Sequence, residues 1–316
     1  MTDFVINTVI MSHENESISL VGNLQNKTNK DLQLVFKEVD LNKISPSLEK
    51  FKIDGILNGN LNILQKQNNY QPTANVDIQN LKINSTELGK LNLNISGDNT
   101  LEKFRVKASL ENQNIESLAL TGTIALTASK SILDIDANLN KFNLGILANI
   151  GGETITNIRG LASGNIKIEG DANDFDMNGR MYLDKAGLNI PYLGVNYGFA
   201  DQSVVDVSKT KFLIRNATIF DQQFKTAGIL KGFIQHKNFS DWKLDLNLES
   251  DNLLALDTKD SEDANFFGRA YILGDAAIKG PVGSLFINVN AKSNKGTDIK
   301  IPVSDAESVG DRKSVV

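Results

Sequence analysis

Arg159-Gly160-Leu161-Ala162-Ser163-Gly164-Asn165-Ile166-Lys167-Ile168-Glu169-Gly170 decides how the chain is read. Two glycines lead into a short alternating strand, and a third glycine closes it. The same phrase stands upstream as Asp54-Gly55-Ile56-Leu57-Asn58-Gly59-Asn60-Leu61-Asn62-Ile63. Downstream it is Phe267-Gly268-Arg269-Ala270-Tyr271-Ile272-Leu273-Gly274-Asp275-Ala276-Ala277-Ile278-Lys279-Gly280. Aligned on Gly59, Gly164 and Gly274, the copies are 105 and 110 residues apart. Internal repetition decides architecture before any single motif does. The chain reads as about three long copies of one β-unit.

The residues around these phrases are almost all strand-like. Ile18/Leu20/Gly22/Leu24 and Leu32/Leu34/Phe36 alternate with polar residues, as do Leu91/Leu93/Ile95, Leu118/Leu120/Gly122/Ile124/Leu126 and Leu133/Ile135/Ala137/Leu139. Trp242/Leu244/Leu246/Leu248 do the same against Lys243, Asp245 and Asn247. Strict alternation marks strands with one buried face. Further strands are expected at 74–78, 81–84, 104–110, 155–158, 165–169, 177–183, 188–193, 203–207, 211–215, 217–220, 224–230, 267–279, 284–291 and 297–303. Residues 257–264 read as an acidic loop. The period changes once, where Phe142, Ile146, Leu147 and Ile150 share a helical face that Gly151-Gly152 ends. About twenty strands and one short helix are predicted.

Composition excludes several function classes. The chain has 316 residues, 33 basic and 38 acidic, for a net charge of −5 without a basic stripe to neutralise phosphates; nucleic-acid binding is not expected. With no cysteine there is no disulfide, thiolate metal site or cysteine nucleophile. No stretch approaches the ~18 uninterrupted apolar residues of a membrane-spanning helix. The start lacks a basic segment and an adequate apolar run for a signal peptide. On this evidence the chain is either cytoplasmic or a piece of something longer. Turns are written with glycine and asparagine rather than with the five prolines.

An antiparallel sheet with one apolar face must bury that face on something. Helices are too few to cover twenty strands. Two solutions remain: the sheet folds on itself as sandwiches or barrels, or it curls into a trough filled by an apolar ligand. The outer positions carry Asn, Asp, Lys and Ser, with 37 asparagines in the chain. Asparagine is a poor strand former, so the inner face must hold the strands. Glycines on the apolar parity, Gly55, Gly59 and Gly122, allow curvature or the close approach of a ligand.

Phe266-Phe267-Gly268-Arg269-Ala270-Tyr271, Gly274 to Pro281, Leu285-Phe286-Ile287-Asn288-Val289-Asn290-Ala291, Gly296-Thr297 and Ile301-Pro302-Val303-Ser304-Asp305 resemble the central part of the translocation and assembly module TamB family, within the AsmA-like superfamily, as found in Bacteroidota-type bacteria. The stretch from Phe142 to Gly170 is similar to an AsmA-like repeat. The resemblance covers residues 130–310 by motif and 30–130 by periodicity. It implies an all-β fold: an elongated, curled antiparallel β-sheet forming a groove with an apolar interior. Its units would be a partial one at 1–50, repeats at 51–158 and 159–267, and the start of another at 268–310. Residues 311–316, Asp311-Arg312-Lys313-Ser314-Val315-Val316, read as a translated sequencing adaptor and are expected to be non-native.

The resemblance further implies a periplasmic protein that bridges the inner and outer membranes. It implies phospholipid as the cargo, an outer-membrane barrel partner of the TamA/BamA type, and an inner-membrane anchor that an internal fragment would lack. The expected groove wall is Leu57, Leu61, Leu93, Ile95, Leu120, Ile124, Ile135, Leu139, Ile166, Ile168, Leu244, Leu246 and Ile287. No catalytic residue, cofactor or metal is expected. His13 and His236, the only histidines, stand in polar, loop-like settings. Asp171 to Asp176 lacks the glycine and terminal glutamate of a calcium loop and reads as a turn. Asp134 and Asp136 read as solvated outer positions. Two other functions fit the pattern: a scaffold that offers a sheet edge to outer-membrane strands by β-augmentation, and an extracellular β-sandwich adhesin.

Overall fold

The computed structural model describes residues 4–25, 28–44, 52–67, 69–84, 86–148, 151–237, 239–260 and 266–301. The proposed tail at 311–316, Ile150 and part of the acidic loop lie outside these residues. Among the described residues the chain forms one 19-stranded sheet. Its strands are β1 (Phe4–His13), β2 (Glu16–Gln25), β3 (Asn29–Asp40), β4 (Ile53–Lys66), β5 (Asn69–Ile83), β6 (Thr86–Gly97), β7 (Lys103–Asn112), β8 (Ile115–Leu126) and β9 (Ser131–Asn143). They continue as β10 (Thr156–Asp171), β11 (Asp174–Ile190), β12 (Val195–Phe199), β13 (Ser203–Ser208), β14 (Lys211–Asp221), β15 (Ala227–Lys237), β16 (Ser240–Thr258), β17 (Phe267–Pro281), β18 (Phe286–Ser293) and β19 (Asp298–Lys300).

The topology is a meander in which each strand pairs antiparallel with the next along the chain, with two interruptions. β12 and β13 both lie between β11 and β14 as halves of one strand position. β18 and β19 likewise share the far side of β17. Seventeen positions remain of the nineteen strands, so the sheet runs roughly 80 Å along its curved width at ~4.8 Å per strand. Asparagine and aspartate serve the turns. Asn84 and Asn114 hold φ of 52° and 62°, a region their short side chains tolerate. Asp98 accepts from the Thr100 and Glu102 amides, and Asp171 accepts from the Asn173 amide.

Several expected boundaries move. Strands predicted separately at 155–158 and 165–169 are one strand, β10. The same holds for 177–183 with 188–193 in β11, and for 211–215 with 217–220 in β14. Glycines and bulges inside these strands imitate turn punctuation. The predicted helix from Phe142 to Ile150 shrinks to a 3₁₀ turn at Leu144–Leu147, capped by the Asn143 side chain accepting from the Gly145 amide at 2.8 Å. A four-residue α-helix at Leu41–Ile44 and a 3₁₀ turn at Pro191–Leu193 are the other helical pieces among the described residues.

The three glycine phrases mark one mechanical device. β3, β9 and β16 each bulge shortly before the chain crosses to the next strand, between Phe36 and Val39, opposite Ala162/Gly164, and between Ser250 and Leu253. At each place a glycine of the following strand sits beside the bulge: Gly59, Gly164 and Gly274. Gly164 has φ +153°, and a Cβ there would collide with the backbone carbonyl of Arg180. In the first two copies the bulged strand turns through a left-handed residue whose amide is caught by the side chain before the glycine. Glu38 (φ 51°) donates to Asn58 Oδ1 and Lys141 (φ 54°) to Ser163 Oγ, both at 2.9 Å. Bulge and glycine together bend the sheet without breaking it.

Gly164→Ala is therefore expected to lower unfolding stability by about 2 kcal/mol or more. Gly283→Ala, where an added Cβ meets nothing within 4 Å, should change it by less than about 0.5 kcal/mol. Denaturant titration of the two variants decides, and equal losses would contradict the device.

Candidate functional site

The register gathers the predicted wall onto one face. Following the ladders from strand to strand gives the row Met11–Ile18–Phe36–Gly59–Val76–Leu93–Ala108–Leu120–Ala137–Ile166–Gly179–Val207–Phe212–Ile234–Leu244–Gly280. Beside it runs Val39–Leu57–Ile78–Leu91–Leu110–Leu118–Leu139–Gly164–Met181–Val205–Ile214–Gly232–Leu246–Ile278–Ile287. On its other side are Leu61, Ile95, Ile135 and Ile168, and next to those Ile124. All thirteen predicted residues share this face. Not one position in the two long rows is polar.

The two halves of the face differ in cover. In β4 to β10 the wall residues are half-buried or exposed, and Leu61 is 38% exposed. A small cluster of Leu81, Leu88 and Leu110 closes one end there, with Phe142 and Ile146 packed against it. In β10 to β17 the sheet folds over itself. Leu244 and Leu246 are buried, in one cluster with Ala162, Val205, Ile214, Leu230, Leu253 and Ala276. Two ties close this half. Tyr197 on β12 donates from its hydroxyl to the Leu254 carbonyl on β16 at 2.7 Å. Thr154, in the segment that crosses from β9 to β10, donates to the Val282 carbonyl at 3.3 Å. Burial, with the Asp221 charge behind it, pushes the Tyr197 phenol above its ordinary range, so it stays a donor.

Inside the closed half is a cavity of about 210 Å³ lined by apolar side chains, among them Leu144, Met181, Val205, Phe212, Trp242 and Leu244. Behind the Phe212 and Trp242 walls, and outside the cavity lining, stands His236, only 3% exposed on β15. This corrects the loop-like setting expected from its polar neighbours: it shares the inward parity of Leu230 and Ile234. Phe212, Phe239 and Trp242 surround the ring with centroids 5.2, 4.8 and 5.2 Å away. Burial holds its pKa below the ordinary 6.5. His13 ends β1 and is exposed.

The outer face is polar and self-neutralising. Asp134 and Asp136 share one lysine, Lys167 of the neighbouring strand, at 2.5 and 3.2 Å. The hydrogen bond and charge of that lysine hold the Asp134 carboxyl below its usual range. Asp206 lies between Arg180 and Arg215 at 2.6 Å from each. Asp171 and Asp174 flank the β10–β11 turn and pair with Lys130 and Lys209. Among the described residues no group of His, Cys, Asp and Glu is placed to hold a metal ion.

With this geometry in view, the comparisons fix the family. Residues 3–183 match the family model described as TamB, N-terminal domain, and residues 215–316 match the TamB C-terminal domain. The chain belongs to the TamB family. No curated protein and no solved structure matches it significantly. TamB-family proteins are envelope-spanning periplasmic proteins that associate with TamA-type outer-membrane partners, in outer-membrane assembly or lipid transport. No helix among the described residues is long and apolar enough to cross a membrane.

The contrast between halves is measurable in this TamB chain. Leu246→Ala, in the closed half, is expected to cost about 2–5 kcal/mol, and Leu61→Ala, in the open half, about 1 kcal/mol or less. Chemical denaturation checks the pair. A second expectation concerns pH. His236 is neutral in the fold, while in the unfolded chain it takes up a proton near 6.5. The unfolded state binds the extra proton first, so stability falls as pH drops through 6.5 toward the lower folded value. His236→Phe should flatten the pH dependence of the melting temperature in that window, and an unchanged slope would refute the assignment.

Proposed function

We propose that this protein holds the acyl chains of phospholipid along its apolar face and so serves as a segment of a lipid path across the periplasm. One observation supports the reading above others. The apolar rows continue in register from β1 to β18, while over β1 to β9, apart from the small cluster around Leu81, Leu88 and Leu110, no second layer among the described residues covers them. Each CH₂ withdrawn from water contributes about 0.8 kcal/mol, so acyl chains supply the missing layer. The polar face, with its paired charges, stays in water. In this reading the protein performs no chemistry and uses no cofactor. It belongs to a longer chain anchored in the inner membrane and reaches an outer-membrane barrel of the TamA type.

A second reading, a scaffold for outer-membrane strands, draws support from the edge strand β1. Among the described residues it pairs with β2 alone and exposes Phe4, Val5, Val9, Ile10 and Met11, a template for an added strand. The adhesin reading gains nothing from a sheet whose β1 to β9 half is open.

Photo-crosslinkers at Leu93, Leu120 and Ile135 are expected to capture phospholipid in cells, and those at Asn92 and Asp136 on the outer face are not. Equal labelling of the two faces would sink the groove. Peptide adducts concentrated at β1, with no lipid at the inward positions, would favour the scaffold.

A further inference from the structure

The two inward rows do not end where the sheet closes. Phe212, Ile234 and Leu244 of the first row all line the 210 Å³ cavity, and so do Met181, Val205 and Ile214 of the second. The cavity is therefore walled by the continuation of the open face, here met by a second layer. The crossing segment between β9 and β10 supplies part of that layer through Leu144, Leu147 and Ile155.

Size and polarity decide what fits. An apolar cavity of about 150 Å³ stays dry and takes up a small hydrocarbon, and this one is larger. At roughly 30 Å³ for each methylene, the share of a water molecule in the liquid, it holds about seven carbons. That is enough for one chain end and too little for two lying side by side. The surface facing the cavity is apolar almost throughout. Arg159, the one charged residue among the described lining, gives its guanidinium to the Asn196 side chain and the Tyr197 carbonyl. A glycerol ester placed here would lose its hydration without gaining a donor, which is unfavourable. The methyl end of a chain carries no such group.

We infer that the closed half is a socket for the methyl end of a single hydrocarbon chain, whose linkage and headgroup remain outside it. Trp242 marks the boundary: it is half-buried and borders both the cavity and a shallow depression of the rim. The socket rests on the acyl-chain reading above and narrows it. A two-chained phospholipid lies along the open half, whereas the closed half admits one chain end without regard to the headgroup.

Trp242 is the only tryptophan in the protein, and bromine quenches tryptophan emission on contact. Lysophosphatidylcholine brominated at the last carbons of its chain is expected to quench that emission saturably. The isomer brominated next to the carboxyl should quench it far less. Replacing choline by glycerol in the end-brominated probe should leave its affinity unchanged. Leu147→Phe fills the room of about one methylene and should weaken binding of that probe about fourfold. Leu147 lines the cavity and not the rim depression, so this variant tells the two apart. Equal quenching by the two isomers, quenching by neither, or an affinity that follows the headgroup would overturn the socket. So would undiminished end quenching in a folded Leu147→Phe protein. Any of these outcomes, with crosslinks still seen at Leu93 and Leu120, removes the socket alone. Saturable quenching by the end-brominated probe without those crosslinks removes the open-groove reading instead.

Discussion

Everything in this fold depends on keeping one parity in register across seventeen strand positions. Side chains in a strand alternate between faces, so a slip of one residue at any ladder would carry every later apolar residue to the wrong side. The chain nonetheless bulges at β3, β9 and β16, and each bulge inserts a residue that threatens that slip. The glycine opposite each bulge absorbs it. At Gly164 the backbone takes up the displacement in a conformation and a space closed to other residues, and Leu139 and Met181 remain its neighbours on the inward row. The repeated phrase is thus the place where curvature is introduced while parity is preserved.

Curvature has different consequences along the sheet. Where the inward rows carry Leu61, Leu93, Ile95 and Leu120 with little facing them, the face stays accessible. From β10 onward large aromatic residues enter, with Phe212, Trp242 and Tyr197 reaching across the interior, and the face closes. The crossing segment between β9 and β10 stands at the change. Ile146 packs on the cluster of the open half, while Leu144 packs on that of the closed half. A short 3₁₀ turn thereby separates two environments that one unbroken hydrogen-bonded sheet connects.

Much of this was legible in the sequence, because alternation and turn chemistry are local. The all-β class, the strand number and the shared face of the thirteen wall residues all follow from period-2 patterning. What was not legible had specific causes. β1 went unseen because Phe4-Val5-Ile6-Asn7-Thr8-Val9-Ile10-Met11 does not alternate, being an edge strand exposed on both faces. β10, β11 and β14 looked divided because Gly160, Gly187 and the bulge near Arg215 and Asn216 imitate loops. His236 looked like a loop residue because Gln235, Lys237 and Asn238 adjoin it. Its parity with Ile234 was the overlooked signal. The closure of β10 to β17 depends on contacts such as Tyr197 with Leu254, which no local pattern announces.

The outer face answers why so many poor strand formers are tolerated. Exposed ion pairs such as Lys167 with Asp134, or Lys279 with Asp245, contribute little stability. Yet they lie in the same cross-strand register as the inward rows: Lys167 faces Asp136, Arg180 faces Asp206, and Lys279 faces Asp245. Moving a strand by one residue would bring these charges to the apolar side as well as losing their partners. The polar face therefore opposes misregister even where it adds little to the stability of the correct one. Asparagine fills the remaining outer positions at a small cost in propensity, and it adds no charge that could pair out of register. Stability resides in the inner face, and both faces specify the same alignment.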